Sequence, residues 1–262
     1  IEYPSLNGLW RNRYFENGVA LALPNETLGR DIDRPIEIGT QRPEDGEEML
    51  EFTVLTFNAQ TLGSIENRTS IEQQMIDNKI LIAGFQESRS KKSAIRMSDS
   101  GKYINISAAK DDDGLGIEIW IATGTPIAKK GKTLTRIKKE DVSVVFRNSR
   151  ELTIHIQTKV AQMFVSVAHA PWANNNDTME AAGRWWKEHL THLQTHTRSA
   201  NQDPNGVSQS SSQNLECKIP IIWMADANAS PPYQISNLIG NQSIRCLLSP
   251  SDAAAEYRTD VH

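Results

Sequence analysis

IPIIWMADANAS, residues 219–230, decides how this chain is read. An apolar run from Ile219 to Met224 ends on an Asp-x-Asn pair, Asp226 and Asn228. An uninterrupted apolar run of this length predicts a strand buried on both faces. Residues two apart on a strand point the same way, so the carboxylate and the amide leave the sheet edge together. An anionic acceptor beside a neutral donor suits a site that handles water and phosphate around a divalent cation. The same pair also serves as a plain Asx turn, in which both side chains only satisfy backbone amides.

Three other strand ends weigh against the plain turn. EFTVLTFN (51–58) ends on Asn58, ILIAGFQE (80–87) ends on Gln86-Glu87, and AQMFVSVAHAPWA (161–173) carries His169-Ala170-Pro171 at its end. Four buried strands thus finish on Asn, Glu, His and Asp-x-Asn. Such groups gather at one rim of a sheet, where a rigid scaffold meets an open edge.

In this order, FNAQTL (57–62), AGFQES (83–88), AHAP (168–171) and MADANAS (224–230) resemble the motifs of the endonuclease/exonuclease/phosphatase superfamily, the DNase I-like fold. One departure is Ala225, which stands where that family usually has Gly. The resemblance spans about residues 51–248. It implies an α/β (α+β) architecture, a four-layer sandwich of two mixed β-sheets flanked by helices. The HAP motif and the strand GIEIWIA (116–122) look most like the endonucleases linked to reverse transcriptases in retrotransposons.

The resemblance also distributes roles. Glu87 is the metal ligand, since a hard anionic oxygen suits Mg²⁺ or Mn²⁺, and Asn58 joins the metal shell or the phosphate. Asp226 orients and deprotonates the attacking water, Asn228 holds a phosphate oxygen, and His169 donates to phosphate or protonates the leaving group. The implied reaction is in-line attack of water on a metal-bound phosphodiester. The family closes with a Ser-Asp-His element that follows further strands. Here the chain stops at Asp260-Val261-His262, soon after Asn228, so the expectation is a fragment whose C-terminal part is missing.

Composition sets outer bounds. The 262 residues suffice for one large core, and 38% hydrophobic content is globular. No apolar run approaches the ~18 residues of a membrane span, and no basic-then-apolar signal opens the sequence. Cys217 and Cys246 are too few and too far apart for a disulfide framework or a zinc site. These features predict an intracellular protein, nuclear or cytoplasmic, with no membrane partner. The six Asn-x-Ser/Thr sequons, one of them at Asn228 itself, then read as chance.

The net charge of −4 does not announce a nucleic-acid binder, but charge is local. Arg89, Lys91, Lys92 and Arg96 follow Glu87 directly, and six cations lie between Lys129 and Lys139. The first cluster, beside the metal residues, is read as a grip on the DNA backbone. The second reads equally as a solvated hairpin tip. DNA is therefore the expected partner, and the chain reads as a monomeric domain of a longer polyprotein. The alternatives are an enzyme for small phosphoesters of the inositol phosphate or sphingomyelin type, and a non-catalytic remnant of the fold.

Along the chain, residues 1–50, with scattered prolines and no sustained periodicity, read as a poorly ordered leader. The domain occupies 51–262. A helix is predicted over 64–79 with Ser64 as N-cap, and a longer one over 177–199. Strands are predicted near 80–87, 103–108, 115–122, 142–147, 151–158 and 162–169, and a flexible insertion over 200–216. GTPIAKKGKT (124–133) misses phosphate-loop spacing. His189, His192 and His196 share a helix face, a conceivable metal site that a polar exposed face explains equally well.

Overall fold

A computed structural model of the chain describes residues 9–15, 18–21, 47–50, 52–60, 62–112, 115–172, 176–200, 219, 221–226 and 243–248. In chain order come β1 (Leu9–Phe15), β2 (Gly18–Leu21), β3 (Glu47–Met49), β4 (Thr53–Asn58), α1 (Ile65–Asp77) and β5 (Ile80–Gln86). Next come β6 (Ala94–Met97), β7 (Tyr103–Ala108), β8 (Ile117–Ala122), β9 (Pro126–Lys130), β10 (Thr133–Arg136), β11 (Val142–Arg147) and β12 (Glu151–Gln157). The last are β13 (Gln162–His169), α2 (Asn176–Ala200), β14 (Ile221–Asp226) and β15 (Ser243–Leu248).

Two mixed sheets form the body. The first runs β2-β1-β4-β5-β8-β7-β6, parallel only between β4 and β5; the second runs β11-β12-β13-β14-β15, parallel from β13 to β15. A small sheet, β10-β9-β3, is hydrogen-bonded to neither, while Ile127 and Ala128 of β9 join the main core. Alternation along the buried strands sets the layers. Ile222 and Met224 of β14 join the core between the sheets, while Ile221, Trp223 and Ala225 pack under Trp186, Leu190 and Leu193 of α2. Met75 of α1 is buried in the main core, at the first sheet. The expected sandwich of two mixed sheets flanked by helices is therefore present.

Helix α1 starts where its cap dictates. Ser64 accepts from the Asn67 N–H at 3.1 Å, and the helix stops before Lys79, whose φ of +54° no helix accommodates. Opposite it, on the outer face of the first sheet, Glu118 is fully buried yet fully bonded. It accepts two hydrogen bonds from Arg68, at 3.0 and 2.5 Å, one from Trp120 Nε1 at 2.6 Å and one from the Ser90 hydroxyl. A buried carboxylate persists only with such partners.

Two sequence expectations change, and one open reading, that of Lys129–Lys139, is decided. Within the supposed leader, β1 pairs antiparallel with β4 and extends the first sheet, and β3 pairs with β9; residues 22–46 lie outside the described residues. The Lys129–Lys139 stretch is mostly the β9–β10 hairpin, with Gly131 at φ +59° in its turn. His189 is 1% exposed and belongs to no polar exposed face. Trp223 Nε1–H, a donor only, donates a hydrogen bond to His189 Nε2 at 2.9 Å. The imidazole proton then sits on Nδ1, 3.2 Å from Glu151 Oε2, with His192 Nδ1 at 3.3 Å from the same oxygen. Burial works against the Glu151 carboxylate, but these two histidines outweigh it and hold its pKa below the ordinary range. His189 is thus hydrogen-bonded through Nε2, while its Nδ1 lies within ion-pair distance of Glu151 without a hydrogen bond of good geometry. The His196 side chain and residues 201–218 are outside the described residues.

Candidate active site

Strand parity builds most of the site. Gly84 of β5 faces the opposite sheet, where a Cβ would meet Val167 and Met224, so Ile82, Gly84 and Gln86 point inward. Parallel register aligns Asn58 with Gln86 and His169 with Asp226. Asn58, His169 and Asp226 consequently reach the gap between the sheets at a single rim. Parity alone sends Glu87 the other way.

The backbone corrects that. Glu87 has φ +51°, in the left-handed region, and Arg89 (φ +55°) and Gln60 (φ +49°) share it. Such conformations cost about 1–3 kcal/mol each in a non-glycine residue and persist only when neighbours over-determine them. Here they do: the Ser88 N–H donates to Gly116 O at 3.0 Å, Arg89 N–H to Leu115 O at 2.7 Å, and Leu62 N–H to Ser88 O at 3.0 Å. The turn re-aims the Glu87 carboxylate toward the inter-sheet gap, while Gln86 stays buried and donates to Thr56 Oγ1 at 3.2 Å.

Four of the five expected catalytic and metal residues meet. Asn58 Nδ2 donates to Glu87 Oε1 at 3.0 Å and to Asp226 Oδ2 at 2.7 Å, joining the two sheets through one amide. His169 Nε2 lies 3.5 Å from Glu87 Oε1. The fifth, Asn228, lies outside the described residues, as do Asp260 and His262. Arg89, Lys91, Lys92 and Arg96 are all exposed, on the loop leaving Glu87 and on β6.

Two carboxylates drawn to one amide make a compact negative centre. The donor set fits a hard divalent cation: Mg²⁺ and Mn²⁺ accept one or two carboxylates and complete their shells with water or phosphate. Glu87, with its side chain 20% exposed, is the more accessible of the two. Asn58 differs from expectation in detail, because its Oδ1 accepts the Gln60 N–H at 3.1 Å and its amide nitrogen holds the acids. Its first duty in this geometry is to position carboxylates. Among the described residues, no three His, Cys, Asp or Glu side chains are arranged to hold a metal ion, at this rim or elsewhere, so water or phosphate would have to complete the shell.

His169 is 5% exposed, and burial above all lowers its pKa below the ordinary histidine value. Arg150 lowers it further, while the Asp226 and Glu87 charges pull the other way. A neutral imidazole at neutral pH follows. Arg150 itself escaped the sequence reading, since it carries no motif. Register reveals it: Glu151 pairs with Ala168, so the Arg150 carbonyl accepts the His169 N–H at 2.9 Å and its guanidinium reaches His169 O at 3.4 Å. Trp172, three residues past His169, is 62% exposed.

No family model matches this sequence, and no curated protein matches it at a significant level. Solved structures with similar folds do exist. The human Nocturnin catalytic domain with bound sulfate is 14% identical at a TM-score of 0.43, covering 72% of this chain and 70% of that one. An AP endonuclease from Archaeoglobus fulgidus is 16% identical at 0.41, covering 78% and 68%. D. rerio TDP2, solved with a single-stranded DNA product, is 10% identical at 0.37, covering 75% of this chain and 66% of its own. Likenesses this distant say nothing about activity, which rests on the chain's own geometry.

Proposed function

We propose that this chain is a metal-dependent phosphodiesterase, an endonuclease that nicks DNA, of the kind joined to a reverse transcriptase in retrotransposon-type polyproteins. One observation carries the chemistry: a single amide, Asn58 Nδ2, holds the Glu87 and Asp226 carboxylates together beside a buried neutral His169. The retrotransposon context is supported only by the HAP motif and the GIEIWIA strand.

The residues divide the work. Glu87 and Asp226 would hold Mg²⁺ or Mn²⁺, which when bound polarises the phosphate and offsets its charge. Asp226, 7% exposed and fixed by Asn58, orients the attacking water and accepts its proton. His169, neutral at working pH, donates a hydrogen bond to a phosphate oxygen as charge builds there. The role of Asn228 is to bind another phosphate oxygen. Arg89, Lys91, Lys92 and Arg96 grip the backbone beyond the scissile bond, and this run of cations favours a polymer over small phosphoesters.

Plasmid nicking, DNA binding and thermal stability test the reading together. Glu87→Gln keeps volume and hydrogen-bonding shape but removes the charge that a hard cation needs. It should cut Mg²⁺-dependent nicking by at least ~100-fold. It should also abolish the rise in Tm with added Mg²⁺, and leave DNA binding in EDTA unchanged. Replacing the four cations by Ala should flatten the salt dependence of binding by up to about one unit per lost contact. Full nicking by Glu87→Gln, or hydrolysis of inositol phosphates with no action on DNA, overturns the proposal.

A further inference from the structure

Among the described side chains, Trp172 is the one aromatic left exposed, at 62%. A lone exposed aliphatic group such as Ile65 on α1 needs no explanation. Tryptophan is on average well buried, because its ring is the largest apolar face a side chain carries. What sets Trp172 apart further is how it is mounted and where.

The mount is stiff. Ala170 is fully buried, and its N–H donates to Asp226 O at 2.9 Å, which pins the chain to β14 one residue beyond His169. Pro171 follows, with φ fixed by its ring, and it confines Ala170 to extended backbone. The indole therefore stands just past a pinned point, on a side chain with only two rotatable bonds. Such a group gives up little conformational freedom when a partner arrives.

Its place is the second-sheet side of the acid centre. His169 ends β13, and three residues of chain span at most ~11 Å, so Trp172 stays within that reach of the imidazole. On the other side of the inter-sheet gap, the exposed cations Arg89, Lys91 and Lys92 leave the first sheet just after Glu87. Indole and cations thus flank, from opposite sheets, the carboxylates that Asn58 ties together. Cations suit phosphates and an indole face suits a ring. A nucleic-acid strand lying across the rim has a partner for its backbone on one side and for a base on the other.

We infer that Trp172 is a stacking platform for one unpaired nucleobase at or next to the scissile phosphate, and that the substrate is DNA that is single-stranded or opened at the cut. This deepens the endonuclease reading above and rests on it. Inside a paired duplex both faces of a base are covered by its neighbours, so an indole reaches one only where the stack has been opened. Every base has a π-face, so the platform selects for strandedness and not for sequence.

The test places 2-aminopurine, a fluorescent adenine analogue dimmed by ring stacking, at one internal position at a time in dT oligomers bound in EDTA. The parent should dim the probe at one position or two adjacent ones. Trp172→Ala should abolish that dimming and weaken oligomer binding at least about fivefold, while Trp172→Phe, which keeps a ring, should retain part of both. Because the indole is exposed, both variants should keep the parent Tm. With Mg²⁺, the parent should nick a duplex at a bubble of mismatched thymines at least about fivefold faster than the same duplex fully paired, and Trp172→Ala should bring that ratio toward one. A parent that binds oligomers without dimming the probe anywhere, or dimming that survives in Trp172→Ala, overturns the inference while leaving the nuclease intact. Dimming that depends on Trp172 in a protein that nicks no DNA keeps the platform and overturns the hydrolytic reading. A chain that binds no oligomer at all overturns both.

Discussion

Gly84 lies so close to the opposing sheet that a Cβ built on it falls 2.6 Å from Val167 Cγ2 and 2.9 Å from the Met224 thioether. Met224 can bend aside, but Val167 is β-branched and locked within a strand. Gly84→Ala should therefore lower stability by about 1–3 kcal/mol, as overpacking does, measured by urea denaturation. It should also weaken nicking, because the Asn58 bridge to Asp226 spans the same gap. A variant as stable as the parent shows that the sheets have more freedom here than their contacts imply. Glu87 presents the complementary case. The sequence names it by position in a motif, yet its aim depends on a positive φ that no residue type at that position announces.

Among the elements, α1 is tied to the first sheet by one polar link. Arg68 meets Glu118 through two hydrogen bonds and also donates Nε–H to Leu62 O at 2.8 Å. Arg68→Ala leaves a buried carboxylate without its cation and should cost about 3–5 kcal/mol. The double variant Arg68→Ala with Glu118→Leu should regain most of that, since no charge remains stranded. A loss below about 1 kcal/mol in the single variant, read from chemical denaturation, contradicts the assignment. This helix was also legible beforehand: its Ser64 cap and its Met75 are where the pattern places them. Strands β6, β9 and β10 were not, because β6 and β10 lack buried residues and β9 buries only its middle, leaving no clean alternation to read.

Across the whole molecule, acid should act through buried histidines before it reaches the carboxylates. Burial lowers the pKa of His155, which stacks on Phe164 at 4.8 Å between ring centres. The unfolded chain protonates near pH ~6.5, while the folded one resists until lower pH. The stability this histidine contributes is thus complete above ~6.5 and is lost as pH falls below that value toward its folded pKa. Glu151, whose pKa is also lowered, loses its contribution only below the usual carboxylate range. Between about pH 7.5 and 5.5, the Tm of His155→Phe should consequently fall less than that of the parent, with His169 supplying part of what remains. Equal falls would show that burial does not keep His155 neutral.

By itself the sequence determined the buried strands, the two principal helices and the residues at the strand ends, because apolar period and capping chemistry are local and leave their mark in composition. It could not show that Glu87 turns back toward His169, that Arg150 backs His169 across a ladder, or that residues 9–15 complete the first sheet. Nor could it show that Trp172 and the Arg89 cations flank the same carboxylates from opposite sheets. Each of those facts is a relation between residues far apart in the chain, set by sheet register and by backbone torsions that only surrounding hydrogen bonds hold in place, and so only the tertiary structure decided them.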